Sequence, residues 1–268
     1  MKPSVSVIIV TWNAEDIIKD CLQSVFATKY PNLEIIIVDN NSQDHTLSKV
    51  KKFQKQLFKL ITNDQNLGFP KAINQGLRVA TGDYLLLLNA DASLPADFFQ
   101  KAEAFFADYP EAAVMGPKLA DPDGTPQGSV FPEPSVEATF REFWLGQKNL
   151  TAKYSPSPEN KRPVSVNAIS GACMFFPRRT LEKIGLFTES VFMYYEDLDY
   201  CRRIRSSGWN IYFNPQITVT HIHGHASKQT SGRALGYLQQ SSLWYNGPLK
   251  HYLMWLISWT GQKLFRTA

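Results

Sequence analysis

Three carboxylates fall within four positions in the segment 194–203, which reads YYEDLDYCRR. The three acids are Glu196, Asp197 and Asp199. Apolar residues follow them at helical spacing, which predicts an amphipathic helix that begins here and ends at Gly208. A carboxylate at such a helix start is a candidate general base. The alternative is an ordinary acidic first turn, because the positive end of the helix dipole favours acidic residues.

A second acidic site lies far upstream, at Asn89 and Asp91, directly after a run of leucines that predicts a buried strand. Mg²⁺ and Mn²⁺ commonly bind one or two carboxylates and complete their shell with water and phosphate oxygens. Two separated acidic sites of this kind suit metal-assisted transfer from a nucleoside diphosphate. The alternative is a turn leading into the next helix, with Ser93 as its N-cap.

Composition restricts the class of protein. The chain has 268 residues, 44% hydrophobic and 19% charged, which is typical of one large α/β domain or two small ones. The net charge of +4 and the lack of a dense basic stripe argue against a nucleic-acid partner. We expect a cytoplasmic protein, since no signal peptide precedes the first strand and the odd, scattered cysteines suit reduced core thiols. The cysteines are Cys21, Cys173 and Cys201.

Strand-like and helix-like patterns alternate between residues 5 and 106. This order predicts an α/β fold in which a Rossmann-like, mostly parallel central sheet is flanked by helices. Ligands of such sheets bind beyond the carboxyl ends of the strands, and polar residues follow each predicted strand there. These residues are Thr11, Asn13, Asp39, Asn40, Asn63, Asp64, Asn89 and Asp91.

Two sites between residues 39 and 76 suit a nucleotide. Asp39 ends a buried strand, and its carboxylate could accept the imide N–H of uracil or thymine; the alternative is a turn residue that bonds its own backbone. The segment 66–76 places Gly68 at a helix entrance and Lys71 on the first turn, where backbone N–H groups and one lysine suit a phosphate. No G-x-G-x-x-G follows the first strand, which argues against a dinucleotide-binding domain.

The periodic pattern is lost from 116 to 163, a stretch rich in proline, glycine and serine with one short helix expected near 136–145. Long loops inside compact domains are usually functional or disordered, and we interpret this one as a wall of the acceptor site. The sequence thus predicts a nucleotide-binding half at 1–115, an acceptor-binding half at 116–240 that is mixed in its strand directions, and a separate tail at 241–268.

The tail concentrates aromatic residues among a few basic ones. They are Trp244, Tyr245, Tyr252, Trp255, Trp259 and Phe265, with Lys250, His251 and Lys263 between them. An interfacial helix that makes peripheral contact with a membrane is one interpretation. A helix that packs its aromatic side chains back on the domain is the other.

Three histidines alternate at 221, 223 and 225, so that in a strand they share one face. A zinc site formed by all three is disfavoured, because consecutive residues of one strand rarely converge on one ion. His221 alone, at the end of a Val/Thr-rich strand, is the better candidate for a ligand.

Six segments, taken in order, resemble the family 2 inverting glycosyltransferases with the GT-A fold. They are residues 5–13, 37–44, 66–76, 82–91, 170–176 and 192–208. The resemblance covers residues 4 to about 225 and is greatest to the bacterial rhamnosyltransferase-like branch, in which Asn-x-Asp replaces the usual Asp-x-Asp. Here Ala90 stands in the middle position.

The resemblance implies a metal-dependent enzyme that moves a sugar, with rhamnose favoured, from a dTDP- or UDP-linked donor. The acceptor would be a hydroxyl of a glycan or of a lipid-linked molecule in cell-surface polysaccharide synthesis, at the inner face of the membrane. The implied nucleotide-sugar-binding residues are Thr11, Trp12, Asn13, Asp39, Asn66, Gly68, Lys71, Asn74, Asn89, Ala90 and Asp91. The implied ligands of Mg²⁺ or Mn²⁺ are Asp91, Asn89 and His221.

The resemblance also implies Asp197 as the general base, with Glu196 beside it in the catalytic pair. The spacing of charges agrees, because Asp199 has Arg202 and Arg203 at helical ion-pair distance while Asp197 has neither Arg nor Lys there. Two other classes stay open. One is a catalytically silent protein that binds a nucleotide sugar, and the other is a metal-dependent nucleotidyl transferase.

Overall fold

The structure is a computed structural model that describes residues 2–53, 58–154, 161–222 and 231–265. Its strands are β1 (Val5–Thr11), β2 (Leu33–Asp39), β3 (Phe58–Thr62), β4 (Tyr84–Asn89), β5 (Ala92–Ser93), β6 (Ala112–Ala120), β7 (Val130–Phe131), β8 (Val164–Ser165), β9 (Ala168–Ile169), β10 (Cys173–Pro177) and β11 (Asn210–His221). Its helices are α1 (Ile18–Ala27), α2 (Thr46–Lys51), α3 (Phe69–Val79), α4 (Phe98–Asp108), α5 (Val136–Trp144), α6 (Arg178–Ile184), α7 (Glu196–Ser206), α8 (Ser231–Asn246) and α9 (Pro248–Phe265).

The first four strands form the parallel part of one sheet, in the order β3-β2-β1-β4. They are apolar at nearly every position because both faces are covered. One face packs on α1 and α4, and the other packs on α3 and α7. The prediction of an α/β fold with a mostly parallel central sheet between helices is confirmed.

The second half of the sheet is mixed, as predicted. β10 pairs antiparallel with both β4 and β6. β11 runs parallel to β6 and antiparallel to the two short strands β5 and β8. β11 is one continuous strand that ends at His221, and its register with β6 shifts between Asn214 and Thr218.

The sequence predicted that regular structure is lost from residue 116, and this prediction is wrong for residues 116–120. β6 extends from Ala112 to Ala120 and is buried at almost every residue, so the predicted boundary at 115/116 falls inside a strand. Gly116 and Pro117 concealed it, because both disfavour a strand interior. Pro117 is accommodated because its partner in β11 is Asn214, where the register shifts and the regular ladder is interrupted.

The C-terminal region consists of two helices, α8 and α9, joined at Gly247 with a φ of 72°. The predicted tail boundary at 241 lies within α8. One side of α9 packs on α5, where the indole of Trp144 donates to the carbonyl of Ile257 at 3.1 Å. Gly261 lies so close to α5 that a Cβ would be 2.6 Å from the Phe143 carbonyl oxygen. The second interpretation of the tail, in which it packs back on the domain, therefore applies to only one side of α9.

Two further sequence expectations concern the whole chain. All three cysteines are buried free thiols, in line with the prediction of core residues. Within the described ranges no helix combines the length and the apolar character needed to cross a membrane.

We expect Gly261→Ala to destabilise the protein by about 1–3 kcal/mol, because the added methyl group forces α9 and α5 apart. Gly236→Ala in α8 is the matched control: it meets no atom within 4 Å and should stabilise by about 0.5–1 kcal/mol. Urea unfolding of the two variants measures both changes. Equal effects of the two substitutions would show that α9 is not held against α5 at this contact.

Candidate active site

The carboxylate of Asp39 lies at the carboxyl edge of the sheet and is almost completely buried. Its Oδ1 accepts hydrogen bonds from the hydroxyls of Thr11 (2.9 Å) and Ser42 (2.6 Å), and its Oδ2 accepts from the Ser42 N–H (3.0 Å). Asp39 thus makes the turn contact that the alternative interpretation described. A carboxylate offers about four lone-pair positions, so capacity for one more donor remains.

The end of β1 is tied to the same turn. Asn13 has a φ of 47°, and its backbone N–H donates to the Ser42 hydroxyl at 2.9 Å. Its side-chain oxygen accepts from the Gln43 N–H at 2.8 Å. Trp12, between Thr11 and Asn13, is half-buried. The segments 11–13 and 39–43 therefore form one wall of the candidate site.

A network of amides fixes the loop that leads into α3. The amide nitrogen of Asn40 donates to the side-chain oxygen of Asn66 at 2.8 Å, and the Gly68 N–H donates to the same oxygen at 3.0 Å. The side-chain oxygen of Asn40 accepts from the Leu67 N–H at 3.0 Å. The side chain of Asn66 therefore stabilises the conformation of this loop, in addition to any contact with a ligand.

The first turn of α3 offers fewer donors than the sequence predicted for a phosphate. The N–H of Phe69 donates to the carbonyl of Phe192 at 2.8 Å, and Pro70 has no N–H. Gly68 has a φ of 88°, and a Cβ there would lie 2.6 Å from the same carbonyl oxygen, so only glycine fits. The exposed side chain of Lys71 remains the cation of this turn.

Asn74 does not face the carboxyl edge as a donor ligand should. Its side chain has no exposed surface. Its amide donates to the Phe187 carbonyl and to Glu189 Oε1, both at 2.8 Å, and its oxygen accepts from the Phe187 N–H at 2.9 Å. All of this hydrogen bonding fastens α3 to the segment before α7, so the expected contact with a nucleotide sugar is replaced by a structural one.

The second acidic site gains a partner from a distant part of the chain. Asp91 precedes β5, which pairs with the end of β11 so that Ala92 lies opposite His221. Nε2 of His221 lies 3.3 Å from Oδ1 of Asp91, and both side chains are largely buried. Ala90, between the two predicted ligands of the motif, is buried in the apolar core on one face of the sheet.

Gln127 orients the imidazole of His221. Its amide nitrogen donates to Asp121 Oδ1 and to the His221 carbonyl, both at 2.6 Å, so its oxygen is the acceptor. This oxygen lies 2.8 Å from Nδ1 of His221, which therefore carries hydrogen. In a neutral ring Nε2 then presents a lone pair to the Asp91 carboxylate, an arrangement that a proton or a cation would stabilise.

The donor set fits Mg²⁺ or Mn²⁺. Oδ1 of Asn89 is a buried oxygen without a hydrogen-bond partner among the described residues. Across those residues no three His, Cys, Asp or Glu side chains cluster around one point, so a closed protein cage is absent there. One carboxylate, one imidazole and one amide oxygen suit a cation that takes its other ligands from water and phosphate. His223 and His225 lie outside the described residues.

Glu196 and Asp197 form a buried acidic pair at the start of α7, each about 7% exposed. Asp197 Oδ2 accepts from the Gly171 N–H at 3.0 Å, and its Oδ1 accepts from the Leu198 N–H at 2.8 Å. Oε2 of Glu196 has no hydrogen-bond partner among the described residues.

Burial determines how this pair shares its charge. Burial, reinforced by the charge of Asp197, raises the pKa of Glu196 to about 8. Burial also raises the pKa of Asp197, but the charge of Lys153 and two N–H donors oppose that rise. Within the pair the proton is therefore favoured on Glu196 and the negative charge on Asp197.

Sequence reasoning missed Lys153. Its ammonium donates to the Ser170 hydroxyl at 3.0 Å and lies 4.6 Å from the centre of the Phe131 ring. It belongs to the irregular stretch for which only a general acceptor role was predicted. No local pattern marks such a residue, because only the pairing of Tyr154 with Val130 and the contact with Ser170 bring its charge near the acidic pair.

One dipeptide joins the two acidic sites. The N–H of Gly171 donates to Asp197, and the carbonyl of the next residue, Ala172, accepts from the N–H of Asn89 at 3.0 Å. Asn89 also lies opposite Val10 in the sheet, next to Thr11 and the Asp39 wall. The predicted base, the predicted metal ligands and the predicted nucleotide wall thus lie along one edge.

The backbone before the acidic pair is strained. Tyr194 and Tyr195 have φ values of 71° and 65°, in the left-handed region that costs an L-residue roughly 1–2 kcal/mol. The Asp199 N–H donates to the Tyr195 carbonyl at 2.9 Å, and the Tyr195 ring packs 5.2 Å from the ring of Tyr245 in α8. Strain of this kind is kept at functional sites when the surroundings enforce it.

Asp199 points away from its neighbour. Its Oδ2 accepts from the Thr188 hydroxyl at 2.7 Å and from Arg203 Nε at 3.1 Å. The ion pair expected with Arg203 is present. Arg202 instead donates to the Tyr245 carbonyl at 3.0 Å and to Glu133 at 3.2 Å.

Residues 6–185 match the family model described as Glycosyl transferase family 2. Among curated relatives, the N-acetylglucosaminyl-diphospho-decaprenol L-rhamnosyltransferase of Mycobacterium tuberculosis is 25% identical over 251 residues, covering 84% of this chain and 80% of the relative.

Solved structures share the fold at low identity. GalNAc-T7 with UDP, GalNAc and Mn²⁺ has a TM-score of 0.65 and 18% identity, covering 82% of this chain and 43% of that one, so this chain spans less than half of its length. The mannosyltransferase PcManGT from Pyrobaculum calidifontis, with GDP-Man and Mn²⁺, has a TM-score of 0.64 and 21% identity, covering 100% and 76%. With a family match over most of its length and the GT-A fold, the chain belongs to glycosyl transferase family 2, an inverting family, and is similar to its rhamnosyltransferases.

Proposed function

We propose that this protein transfers a sugar from a nucleoside-diphosphate donor to a hydroxyl of a glycan or lipid-linked acceptor, with inversion at the anomeric carbon. The proposal depends chiefly on one arrangement, the Gly171–Ala172 backbone that contacts both Asp197 and Asn89. It puts the buried carboxyl group of Asp197 next to a group of oxygen and nitrogen ligands that suits a divalent cation.

The donor nucleotide lies along the edge formed by the ends of β1, β2 and β4. The wall made by 11–13 and 39–43 receives the base, and the carboxylate of Asp39 accepts its imide N–H. Lys71 and Asn66 face the diphosphate. Uracil and thymine both carry the imide, so this pocket suits dTDP- and UDP-sugars alike, and the likeness to a rhamnosyltransferase favours dTDP-rhamnose.

Asp91, His221 and Asn89 would hold Mg²⁺ or Mn²⁺ in this proposal. The unpartnered amide oxygen of Asn89 and the Nε2 of His221 that faces Asp91 both support such an ion. When bound, the cation supplies Lewis-acid stabilisation of the charge on the departing diphosphate. Gln127 keeps the hydrogen of His221 on Nδ1, which leaves Nε2 as the ligand atom.

Asp197 takes the proton from the acceptor hydroxyl while the hydroxyl oxygen bonds to the anomeric carbon, on the face opposite the diphosphate. The bond from that carbon to the diphosphate oxygen breaks and the configuration inverts. One carboxylate is enough, because the diphosphate leaves without protonation; a glycosidase needs two. Glu196, protonated near neutral pH, leaves the negative charge on Asp197.

The proposed acceptor class is supported by the relative's name, which specifies an N-acetylglucosaminyl-diphospho-decaprenol substrate for that protein. For this chain we infer a glycan or lipid-linked acceptor in cell-surface polysaccharide synthesis. Because nucleotide sugars are made in the cytoplasm, the reaction belongs at the inner face of the membrane.

Analysis of the products tests the proposal. Incubation with dTDP-rhamnose or UDP-sugars, Mn²⁺ and a lipid-linked acceptor should release nucleoside diphosphate. Pyrophosphate would identify a nucleotidyl transferase instead, and nucleotide binding without any product would identify a silent binding protein.

Asp91→Asn and excess EDTA should each abolish the release of nucleoside diphosphate, whereas Asp108→Asn, an exposed site on α4, should not change it. Full activity in EDTA would exclude the metal.

The two aspartates of α7 should separate by function. We expect Asp197→Asn to lower kcat about 10²–10⁴-fold with donor affinity nearly unchanged, the usual effect of removing a positioned base. Asp199→Asn should keep most of kcat and lose about 1–3 kcal/mol of stability, because it weakens bonds to Thr188 and Arg203. Single-turnover rates and urea unfolding measure both. An Asp199 variant with the larger loss of kcat would reverse the assignment.

Lys153 should shift the pH profile. The base acts in its ionised form, so kcat/KM falls as pH drops through the pKa of Asp197. Lys153 lowers that pKa against the effect of burial. Lys153→Met therefore should raise it and move the acidic limb of the profile to higher pH, with activity recovering in more alkaline buffer. Lys153→Arg keeps the charge and is the control. Identical limbs in both variants would mean that the charge of Lys153 does not reach the base.

A further inference from the structure

Six large apolar side chains lie exposed along one side of α9. They are Leu249, Tyr252, Leu253, Trp255, Leu256 and Trp259, which we term the docking face. Their exposed fractions range from 41% to 84%. The opposite side of the same helix packs on α5 through Ile257 and Gly261.

A helix on the surface of a globular domain normally has one apolar side, which faces the core. α9 has two, and only one of them is covered by the domain. A contiguous exposed apolar surface formed by six large side chains indicates a binding surface for another molecule or for a membrane.

Two aromatic residues of the docking face, Trp255 and Trp259, stack on each other. Their ring centres lie 6.0 Å apart and their planes are 13° apart. The ammonium of Lys263 lies 4.8 Å from the centre of the Trp259 ring. Tryptophan, tyrosine and a lysine that extends past them are typical of side chains at the boundary between lipid and water.

The basic residues around the docking face favour an anionic surface as its binding partner. Asp199 is the last acidic residue of the sequence, so α8, α9 and everything after them carry basic groups only. Arg233 and Lys263 are exposed, and so is Lys148, which lies at a cavity beside the C-terminal end of α9. A second copy of the chain would bring like charges together across the docking face, whereas anionic lipid headgroups would attract them.

We propose that the docking face binds the surface of an anionic lipid bilayer, with α9 lying in the plane of the interface. Lipid binding itself is independent of the reaction. The use of that binding, to bring the active site to a lipid-linked acceptor, rests on the proposed function.

The connection from α9 to the acidic pair is short. α9 continues from α8 through Gly247, and α8 contacts the strained segment before Glu196: Ser241 donates to the Met193 carbonyl at 2.7 Å, and Tyr245 packs on Tyr195. A bilayer bound at the docking face is therefore linked through one helix to the backbone that leads into the acidic pair.

Co-sedimentation of the full chain with vesicles tests the proposal. We expect binding to vesicles of phosphatidylcholine with phosphatidylglycerol, and much weaker binding to phosphatidylcholine alone. Leu249→Gln/Leu253→Gln/Leu256→Gln should reduce the bound fraction at least about tenfold, because these exposed side chains supply apolar area to the docking face. Val79→Gln, an exposed apolar residue at the end of α3, is the control and should bind normally. Thermal unfolding of each variant confirms its fold.

Three results would overturn the proposal. They are the absence of wild-type sedimentation, equal sedimentation of the triple variant, and a concentration-dependent dimer that the triple variant abolishes, which would identify a second copy as the occupant. Neither donor nor acceptor is present, so failure here leaves sugar transfer untouched. A protein that sediments as expected but releases no nucleoside diphosphate from any donor would contradict the proposed function and not the docking face.

Discussion

The antiparallel pairing of β4 with β10 is the constraint on which the geometry of the site depends. Cys173 lies opposite Leu88, so the chain that leaves β4 passes beside the chain that enters β10. The segments 89–91 and 170–172 are thereby held together by a backbone hydrogen bond, from the Asn89 N–H to the Ala172 carbonyl, rather than by flexible side chains. In a fully parallel sheet, β10 would begin at the other edge, and Gly171 would lie far from Asn89.

The buried acidic pair is costly to the fold, and several features of the surroundings offset that cost. Ionising two adjacent buried carboxyl groups together is unfavourable, and the raised pKa of Glu196 keeps one proton on the pair near neutral pH. The N–H groups of Gly171 and Leu198 stabilise the charge on Asp197, while Glu196 has no donor that would favour ionisation of its Oε2. The left-handed backbone at Tyr194 and Tyr195 adds further strain, and contacts from α8 hold it. Two unfavourable contributions, the buried charge and the left-handed backbone, are thus tolerated at the position proposed for the general base.

Local patterns were enough to predict the elements that begin the fold. β1 to β4 and their helices follow from apolar periodicity, and Asp39 and Asp91 follow from polar residues at the ends of those strands. Asp197 was assigned from the family resemblance and from the spacing of charges in the acidic segment. β6 was missed because Gly116 and Pro117 interrupt its pattern, and they are tolerated only beside the register shift of β11. Asn74 was assigned to the donor through the family resemblance. Its burial against Phe187 is a tertiary fact that no spacing encodes.

The irregular stretch from 121 to 154 is where prediction from sequence was weakest, and it sets the chemistry of the site. Gln127 fixes the tautomer of His221, Lys153 lowers the pKa of the acidic pair, and Glu133 accepts from Tyr245 and pairs with Arg202 of α7. A loop can supply these groups because its backbone is free to bring side chains from well-separated positions to one edge of a sheet. If the same stretch lines the acceptor, then a change that adapts it to a new acceptor also alters the protonation of the base. Acceptor choice and pH dependence would therefore change together in this enzyme.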